Sequence, residues 1–556
     1  MNVIIFLGFY LFTYFLGRGF LVLIKTNFEK SIDENQILGI KYDVFYPIIS
    51  LFVFGNLLVI LNFFVPLDSS YPILIGIALI LFFSNFGSKF KIFNFKNWTL
   101  KHLVLPSIIS ITSYGSWLHF DTGAYHLNYQ YWIKTSKIVF GLANINFGYG
   151  FSSILEYLES LLWVGNNFVF LYFINQLFYV LLFAFLWDAI FSSNSFLKIS
   201  SLFLLIYGFL DNFGIGGGAN GFYQVQAIAK PDMPFGIMFI IISQLFCQKI
   251  INKDYRYKDL KIFSFAVLFL IQIKLLGMYI GLFVIYYLFK FNKNNKIKIL
   301  RLFNEIKVPI VLSIIWLSKN FILSGCFLFP LTFSCIKNVS WYIDGYINSY
   351  VYDTQVSQRA YFFGENINEW IILYLNKGFN RQILINFLIG IFIFLLIRMI
   401  FLQKVNVEFP KLVLLSFNII FIFTWIISSP APRWGAHIYP FVIISLALGF
   451  ELKNKNILNS VFSNLVLIFF LLTVGLMPRF YSYQSFFDTE LGIYEVNYEN
   501  VEYVNNSSNT GYIVDSSKYQ PQQCWVNKMC TLSDKEIIQG KIGTYSVFYP
   551  DGSKLW

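Results

Sequence analysis

Charged side chains are scarce in this sequence of 556 residues: Asp, Glu, Lys and Arg make up only 13% of it, whereas 57% of the residues are hydrophobic. This balance, with a mean hydropathy of +0.62, excludes an ordinary soluble fold and is typical of a multi-spanning membrane protein.

The first apolar run, 3–24, lacks a basic segment before it and a small-residue cleavage site after it, so we predict a retained helix. No internal repeat is apparent, which disfavours transporters built from repeats.

Acidic residues are outnumbered by basic ones, which gives a net charge of +12 and a pI near 9.1. Such a charge can indicate a nucleic-acid partner. The basic residues lie in short loops between apolar runs, however, and that is the pattern of cytoplasmic loops in membrane proteins. We therefore expect no nucleic-acid partner. The basic loops lie at 25–41, 89–101, 249–261, 290–307, 398–411 and 453–455.

A helix needs about 20 apolar residues to cross a bilayer, and fourteen stretches approach that length. If they cross alternately, every basic loop falls on one side, which is then the cytoplasm. Two stretches near Lys274 are too short to cross alone, so we expect a hairpin or two broken helices there. A single long helix would instead reverse the orientation of every span that follows. The fourteen stretches are 2–24, 44–66, 71–88, 102–117, 166–190, 197–212, 233–250, 261–273, 275–290, 308–325, 382–402, 411–429, 434–451 and 457–477.

The same alternation places all the larger polar segments in the other compartment, so the predicted working surface is extracytoplasmic. We predict a membrane domain at 1–477 and a small external cap at 478–556. The polar segments are the first loop (117–165), the second loop (213–232), the third loop (326–381), the fourth loop (429–434) and the tail (478–556).

The five cysteines agree with this topology. Cys247 lies inside a predicted span, whereas Cys326, Cys335, Cys524 and Cys530 lie in the third loop and the tail. Two close pairs in an oxidising compartment predict the local disulfides Cys326–Cys335 and Cys524–Cys530. The alternative is four free thiols.

Asp121 opens the first polar loop directly after an apolar run, with His119 and His126 beside it. A carboxylate at the mouth of a membrane segment suits a site at the membrane surface. It also suits the N-cap of an interfacial helix, and a capping carboxylate remains available as a general base. A metal site from these three residues lacks a clear fourth ligand, so a divalent metal is possible but not favoured.

Lys230 and Asp232 follow a glycine-rich stretch, 214–218, and stand where the next span begins. Backbone amides of such a stretch can hold anions, although a flexible loop before a helix also explains it. Lys274 interrupts the apolar run IQIKLLG, and an intramembrane lysine indicates function by default. At a hairpin tip it either pairs with a phosphate or reaches toward the interface as an anchor.

Lys319 and Arg433 lie toward the outer ends of their spans, and the two prolines before Arg433 and the Trp-Gly after it fix its backbone. A guanidinium matches phosphate oxygens bidentately, although an interfacial anchor is the simpler interpretation. One acid and several cations are thus predicted at the ends of neighbouring spans on one membrane face. This arrangement suits transfer of a group from a lipid phosphate to an acceptor hydroxyl. The acid deprotonates the acceptor, and the cations stabilise the departing phosphate.

Seven short motifs, in order, carry a resemblance that covers about 100–530. They are WLHFDTGAYHLNYQYW, GLANINFGYGFSS, KPDMP, IQIKLLG, SKNFILSGCFLFP, SSPAPRWG and QQCWVNKMC. This succession resembles a group of bacterial membrane proteins that is similar to the GT-C glycosyltransferases. The motifs are individually short, and their order is the specific part.

The resemblance implies an all-α polytopic protein of the bacterial cytoplasmic membrane: a GT-C-like bundle of about 12–14 transmembrane helices with extracytoplasmic loops. It implies a polyprenyl-phosphate sugar as donor and an extracytoplasmic glycan or lipid-linked acceptor of the cell envelope. The acidic residue that GT-C enzymes carry in an external loop corresponds to Asp121. Positions 119 and 123 are His and Gly, so a second carboxylate two residues away is missing and metal dependence is doubtful. Three predicted spans precede this loop where many GT-C proteins have one, so we interpret the N-terminal part as an addition.

We therefore predict an inverting glycosyltransferase without a cofactor, with Asp121 as general base. Lys274, Arg433 and Lys230 are expected to bind the donor phosphate, and His126, Asp232, Lys319 and His119 to support the site. One alternative is a flippase or exporter of lipid-linked sugars, whose polar residues would be distributed through the bilayer depth. Another is an O-antigen-type polymerase, whose paired loop arginines are matched only thinly by Arg359 and Arg381.

Overall fold

The computed structural model describes most of the chain. The described residues are 1–24, 36–37, 40–87, 95–192, 194–213, 227–253, 255–295, 299–342, 346–404, 408–435, 437–453, 456–489, 492–498, 500–505, 512–515, 518, 523–531 and 536–550.

Helices dominate these residues, and the strands are short pairs. The α-helices are Asn2–Leu23, Tyr46–Asn62, Tyr71–Ser84, Phe95–Thr99, Leu105–Ser110, Leu127–Thr135, Ile154–Ser160, Tyr172–Phe191, Ser195–Phe213, Asp232–Asn252, Tyr257–Ile273, Gly281–Asn295, Ile299–Ser324, Tyr346–Ser357, Ile367–Leu375, Gly378–Phe401, Glu408–Ser428, Ile438–Leu446, Asn456–Leu476 and Phe480–Asp488. The strands are Gln36–Ile37, Ile40–Lys41, Trp117–Leu118, Ala227–Ile228, Leu402–Lys404, Phe450–Leu452, Tyr503–Asn505, Tyr512–Val514, Ile537–Ile542 and Tyr545–Pro550. Apart from the parallel pair Trp117–Leu118 with Ala227–Ile228, the paired strands are antiparallel.

Fewer helices reach membrane-spanning length than the fourteen stretches predicted. In the described part of the chain seven are long and apolar enough, or eight if the bent pair Ser460–Leu476 and Phe480–Asp488 is one span. The predicted stretch 102–117 contains a π-helical turn and ends in a 3₁₀ segment, and 434–451 yields only the helix Ile438–Leu446. The protein is thus a multi-pass membrane protein. The seven spans are Asn2–Leu23, Tyr42–Asn62, Val169–Phe191, Asp232–Asn252, Leu275–Lys293, Leu300–Ser324 and Asn380–Phe401.

The helical segments run alternately between two faces, and the polar loops meet on one of them, here called the site face. The rings of Phe147 in the first loop and Phe329 in the third lie 4.7 Å apart. The hydroxyl of Tyr374, from the third loop, donates to the carbonyl of Pro430 in the fourth at 3.0 Å. These contacts agree with the predicted grouping of the loops.

The opposite end, here called the basic face, carries a buried ionic network. Lys101 Nζ lies 2.9 Å from Asp43 Oδ1 and 3.3 Å from Asp188 Oδ1. His102 links Asp43 to the hydroxyl of Tyr10, at 3.2 and 2.8 Å. The first helix, the start of the second, the 95–110 segment and the end of Tyr172–Phe191 therefore meet at one point.

Two glycines let the first helix pack closely on the two helices that follow it. A Cβ on Gly17 would lie 1.8 Å from the carbonyl oxygen of Tyr46, and one on Gly19 would lie 1.8 Å from that of Leu81. Only glycine permits helices to approach so closely. The first helix is thus packed backbone to backbone against the next two.

The tail packs on the first polar loop. The backbone N–H of Trp525 donates to the carbonyl of Gly123 at 2.9 Å, and Trp132 Nε1 donates to that of Lys528 at 3.1 Å. Further along, Phe140 exchanges two backbone hydrogen bonds with the strand Tyr545–Pro550. The tail therefore lies close to Asp121.

Both predicted disulfides are formed. Cys326 is bonded to Cys335 and Cys524 to Cys530, while Cys247 is a free, buried thiol in the helix Asp232–Asn252.

Candidate functional site

The parallel pairing of two-residue strands brings the first and second polar loops together. Trp117 and Leu118 pair with Ala227 and Ile228. Thr122 Oγ1 donates to the carbonyl of Ile228 at 2.7 Å, which fixes the chain beyond the strand. Side chains separated by more than a hundred residues in sequence thereby become neighbours.

Asp121, His119 and Lys230 form the first half of the site. Lys230 Nζ lies 2.8 Å from His119 Nε2 and 3.9 Å from Asp121 Oδ2. The backbone N–H of Asp121 donates to His119 Nδ1 at 3.1 Å, and its carboxylate lies 3.5 Å from the same nitrogen. A neighbouring ammonium favours the ionised form of a carboxylate.

The alternative that Asp121 serves as a helix N-cap is wrong. The helical segment Thr122–His126 begins after Asp121, but the side chain makes no capping hydrogen bond, and its backbone is already helical at φ −60° and ψ −26°. A capping residue would be extended, with its oxygen on an amide of the first turn. The carboxylate instead faces Lys230 and His119.

The residue before Lys230 has a strained backbone conformation. Ala229 has a left-handed backbone, with φ of 54°, which costs a non-glycine residue roughly 1–2 kcal/mol. Such conformations persist where surrounding contacts impose them, and they concentrate at functional sites. Here the strand before Ala229 and the helix after it fix the position of Lys230.

Lys274 and Asp232 form the second half of the site as a short ion pair. Lys274 lies between the helix Tyr257–Ile273 and a 3₁₀ segment, in extended conformation. The rings of Tyr257 and Phe291 lie 4.7 Å apart, so the two flanking arms run antiparallel and Lys274 is at the hairpin tip. This agrees with the hairpin that we predicted.

The two halves are adjacent because only Pro231 separates Lys230 from Asp232. The charges therefore alternate from Asp121 through Lys230 and Asp232 to Lys274. Lys230 and Asp232 are 6% and 8% exposed in their side chains, whereas Asp121 and Lys274 are 18% and 21% exposed. An acid and a cation are thus the groups that an incoming molecule reaches.

The fourth loop contributes Trp434, whose ring lies 5.9 Å from Lys274 Nζ. Arg433 is in the same 3₁₀ turn, Pro432–Gly435, and so lies next to this contact along the chain. The side chain of Arg433 falls outside the described part of the structure, as does the glycine stretch 214–218.

His126 and Lys319 lie in a separate buried cluster. His126 Nδ1 is 2.6 Å from Glu156 Oε1, and the backbone N–H of Ser153 donates to Glu156 Oε2 at 2.7 Å. Lys319 donates to Ser152 and lies 3.7 Å from the ring of Trp316. These contacts attach the first loop to the helix Ile299–Ser324. They do not bring either residue into the Asp121 group.

Glu156 was missed by the sequence analysis, although Ser153 and Glu156 form a capping box, whose S-x-x-E pattern is readable from sequence. One turn on, burial and then the nearby charge of Glu156 raise the pKa of Glu159 well above its usual range, against a hydrogen bond from Gln130. Glu159 is thus a buried acid on the same short helix as Glu156.

His437 was missed as well, and no sequence signal separates it from its apolar surroundings. Its ring is buried against the rings of Phe235, Phe239 and Tyr279, at 5.1, 4.8 and 5.8 Å. Neither ring nitrogen has a hydrogen-bond partner among the described residues.

The described acidic side chains and histidines do not gather into a larger group. Among the residues that the structure describes, no three His, Cys, Asp or Glu side chains group in a way that could hold a metal ion. Each carboxylate of the site faces a lysine instead.

A comparison with known families matches residues 1–439. It covers most of the chain and every candidate site residue. The chain belongs to the family described as Domain of unknown function (DUF8201). The matched region of this family spans both halves of the site, from His119 to Arg433. Searches of the curated proteins and of the solved structures each found no match.

Proposed function

We propose that this protein is an inverting glycosyltransferase of GT-C type that uses a polyprenyl-phosphate sugar as donor. The observation that carries the proposal is a partly exposed acid and a partly exposed cation at one end of a membrane bundle: Asp121 in the first polar loop and Lys274 at the hairpin tip. The resemblance of the motifs around these residues to GT-C enzymes supplies the reaction class. The site face is then extracytoplasmic.

In the proposed reaction an acceptor hydroxyl attacks the anomeric carbon of the donor sugar from the side opposite the phosphate. The bond between that carbon and the phosphate oxygen breaks, a new glycosidic bond forms, and the hydroxyl proton passes to Asp121. A positioned general base of this kind contributes about 10²–10⁴-fold in rate. Lys230, whose Nζ lies 3.9 Å from Asp121 Oδ2, positions the base.

The leaving polyprenyl phosphate gains negative charge as this bond breaks. Lys274 retains donors for it, because an ammonium has three N–H groups and only one is needed for Asp232. Arg433, next to Trp434, is the second proposed phosphate ligand. We assign Lys230, which is almost buried against His119 and Asp121, to positioning the base, although the sequence predicted a phosphate ligand.

The test is sugar transfer from labelled polyprenyl-phosphate donors by purified protein. Asp121→Asn should reduce turnover by about 10²-fold or more, while the matched change of an exposed carboxylate, Asp353→Asn, should leave it unchanged. Equal thermal unfolding of both variants and the wild type controls for folding. Unchanged turnover in Asp121→Asn would refute the assignment of the base.

A carrier of lipid-linked sugars is the second candidate, and one observation favours it. The buried network of Asp43, Lys101 and Asp188 at the basic face places charge at the far end of the bundle, as a transport path would. Labelled lipid that crosses vesicles containing the protein, with no sugar transfer from any donor, would favour the carrier over the enzyme.

A further inference from the structure

A groove of about 540 Å³ lies at the basic face, far from the candidate site. One wall is the end of the helix Gly378–Phe401, where Phe392, Leu395, Leu396 and Met399 follow each other at helical spacing on one face. These side chains are exposed, and in a membrane they face lipid. The groove thus offers an apolar wall at bilayer depth.

The mouth of the groove is cationic because of strand register. Lys404 pairs with Phe450 and Leu402 with Leu452, so these four side chains share one face of the two-stranded sheet. The intervening pair, Gln403 and Glu451, points to the other face. The carboxylate of Glu451 is therefore turned away from the lysine at the groove.

Arg398 provides the second cation. Its guanidinium lies 4.7 Å from the ring of Phe450 and lines the groove. No carboxylate among the described residues pairs with Arg398 or Lys404. The third nearby cation, Lys453, is already used, since its Nζ donates to the carbonyls of Met399 and Ile400, both at 2.9 Å.

We propose that this groove binds an anionic glycerophospholipid. Its acyl chain would lie along Phe392 and Met399, and its headgroup phosphate would contact Arg398 and Lys404. Basic pockets at the cytoplasmic ends of transmembrane helices suit anionic headgroups, and neighbouring cations near the surface each add to the attraction. The groove is about 540 Å³ in volume and open at the lipid side, so a lipid can enter laterally. The proposal is independent of any glycosyl transfer.

The test measures lipids retained by the purified full chain, by native mass spectrometry, after exchange into dioleoyl phosphatidylglycerol or dioleoyl phosphatidylcholine. We expect the wild type to retain the anionic lipid preferentially, and the double variant Arg398→Gln/Lys404→Gln to lose about 10-fold or more of that affinity. The matched control, Lys290→Gln/Lys293→Gln, removes the same charge from another helix end at the same face and should keep the preference. Leu396→Trp, which fills the groove without changing charge, should also weaken retention.

Equal loss in both double variants would overturn the proposal, because a general surface charge would then explain the binding. Equal retention of both lipids by the wild type would overturn it too. So would retention of a polyprenyl phosphate in preference to phosphatidylglycerol, which would assign the groove to the donor lipid.

Discussion

The ion pair of Lys274 and Asp232 allows stability and function to be separated in one experiment. Lys274→Gln removes the ammonium that pairs with the carboxylate of Asp232, which is 8% exposed. Removing one partner of a buried pair costs about 3–5 kcal/mol. Lys274 is 21% exposed, so water already screens part of the interaction, and Asp232 is in the first turn of the helix Asp232–Asn252, whose dipole favours a negative charge. We therefore expect Lys274→Gln to lower the free energy of unfolding by about 2–3 kcal/mol.

Neutralising Asp232 instead of Lys274 should lower the free energy of unfolding by less. Asp232→Asn leaves a lysine that is more accessible to water and faces Trp434, so about 1 kcal/mol is expected. The double variant removes both charges and should lie within about 1 kcal/mol of the wild type. The resulting coupling energy of about 2–4 kcal/mol is measurable from thermal or denaturant unfolding in detergent.

The double variant should regain stability but not sugar transfer. If Lys274 binds the donor phosphate, the double variant folds normally but transfers sugar no better than Lys274→Gln. The pair of Lys249 and Asp259 at the basic face, 2.8 Å apart and similarly buried, is the matched control: its double neutralisation should preserve transfer. Wild-type transfer by the Lys274/Asp232 double variant would show that the pair only holds the hairpin in place, and an absent coupling energy would refute the ion pair.

Three further outcomes are expected. Gly123→Ala places a Cβ about 2.8 Å from the ring of Trp525 and should lower stability by roughly 1–3 kcal/mol while exposing the tail to protease; an unchanged unfolding temperature would contradict this packing. Cys524→Ser should cost about 2 kcal/mol, and reduction of the wild type should speed proteolysis of the tail in the same way. The raised pKa of Glu159 means that the folded state holds its proton more tightly than the unfolded state, so this contribution to stability is complete below about pH 4.3 and is lost as pH rises through the folded pKa. Glu159→Gln should therefore remove part of the fall in unfolding temperature between pH 5 and 8, and an identical pH profile would refute the assignment.

Helix positions and their alternation were readable from the sequence, because apolar runs and basic loops report on the membrane directly. The break at Lys274 was also predictable, since neither flanking stretch is long enough to cross alone. Fewer of the described helices reach membrane-spanning length than the fourteen stretches predicted, because an apolar run does not show where a π-helical turn or a short 3₁₀ segment will end a helix. The stretches at 102–117 and 434–451 are two examples.

The composition of the site was only partly predictable. Asp121 stood out as a carboxylate after an apolar run, but its pairing with Lys230 depends on two-residue strands that are more than a hundred residues apart in sequence. Such short pairing leaves no periodic signal. The separation of His126 and Lys319 from Asp121 depends on Glu156 and Ser152, which sequence reasoning did not single out.

The buried network around Lys101 has a consequence for biogenesis. Segment 95–110 leaves the ribosome before Asp188 has been synthesised, so Lys101 first meets the bilayer with Asp43 as its only carboxylate from this network. An incompletely neutralised lysine is unfavourable in lipid. We expect the first helices to remain at the insertion machinery until Tyr172–Phe191 arrives, so that this part of the protein assembles as a single unit and not helix by helix.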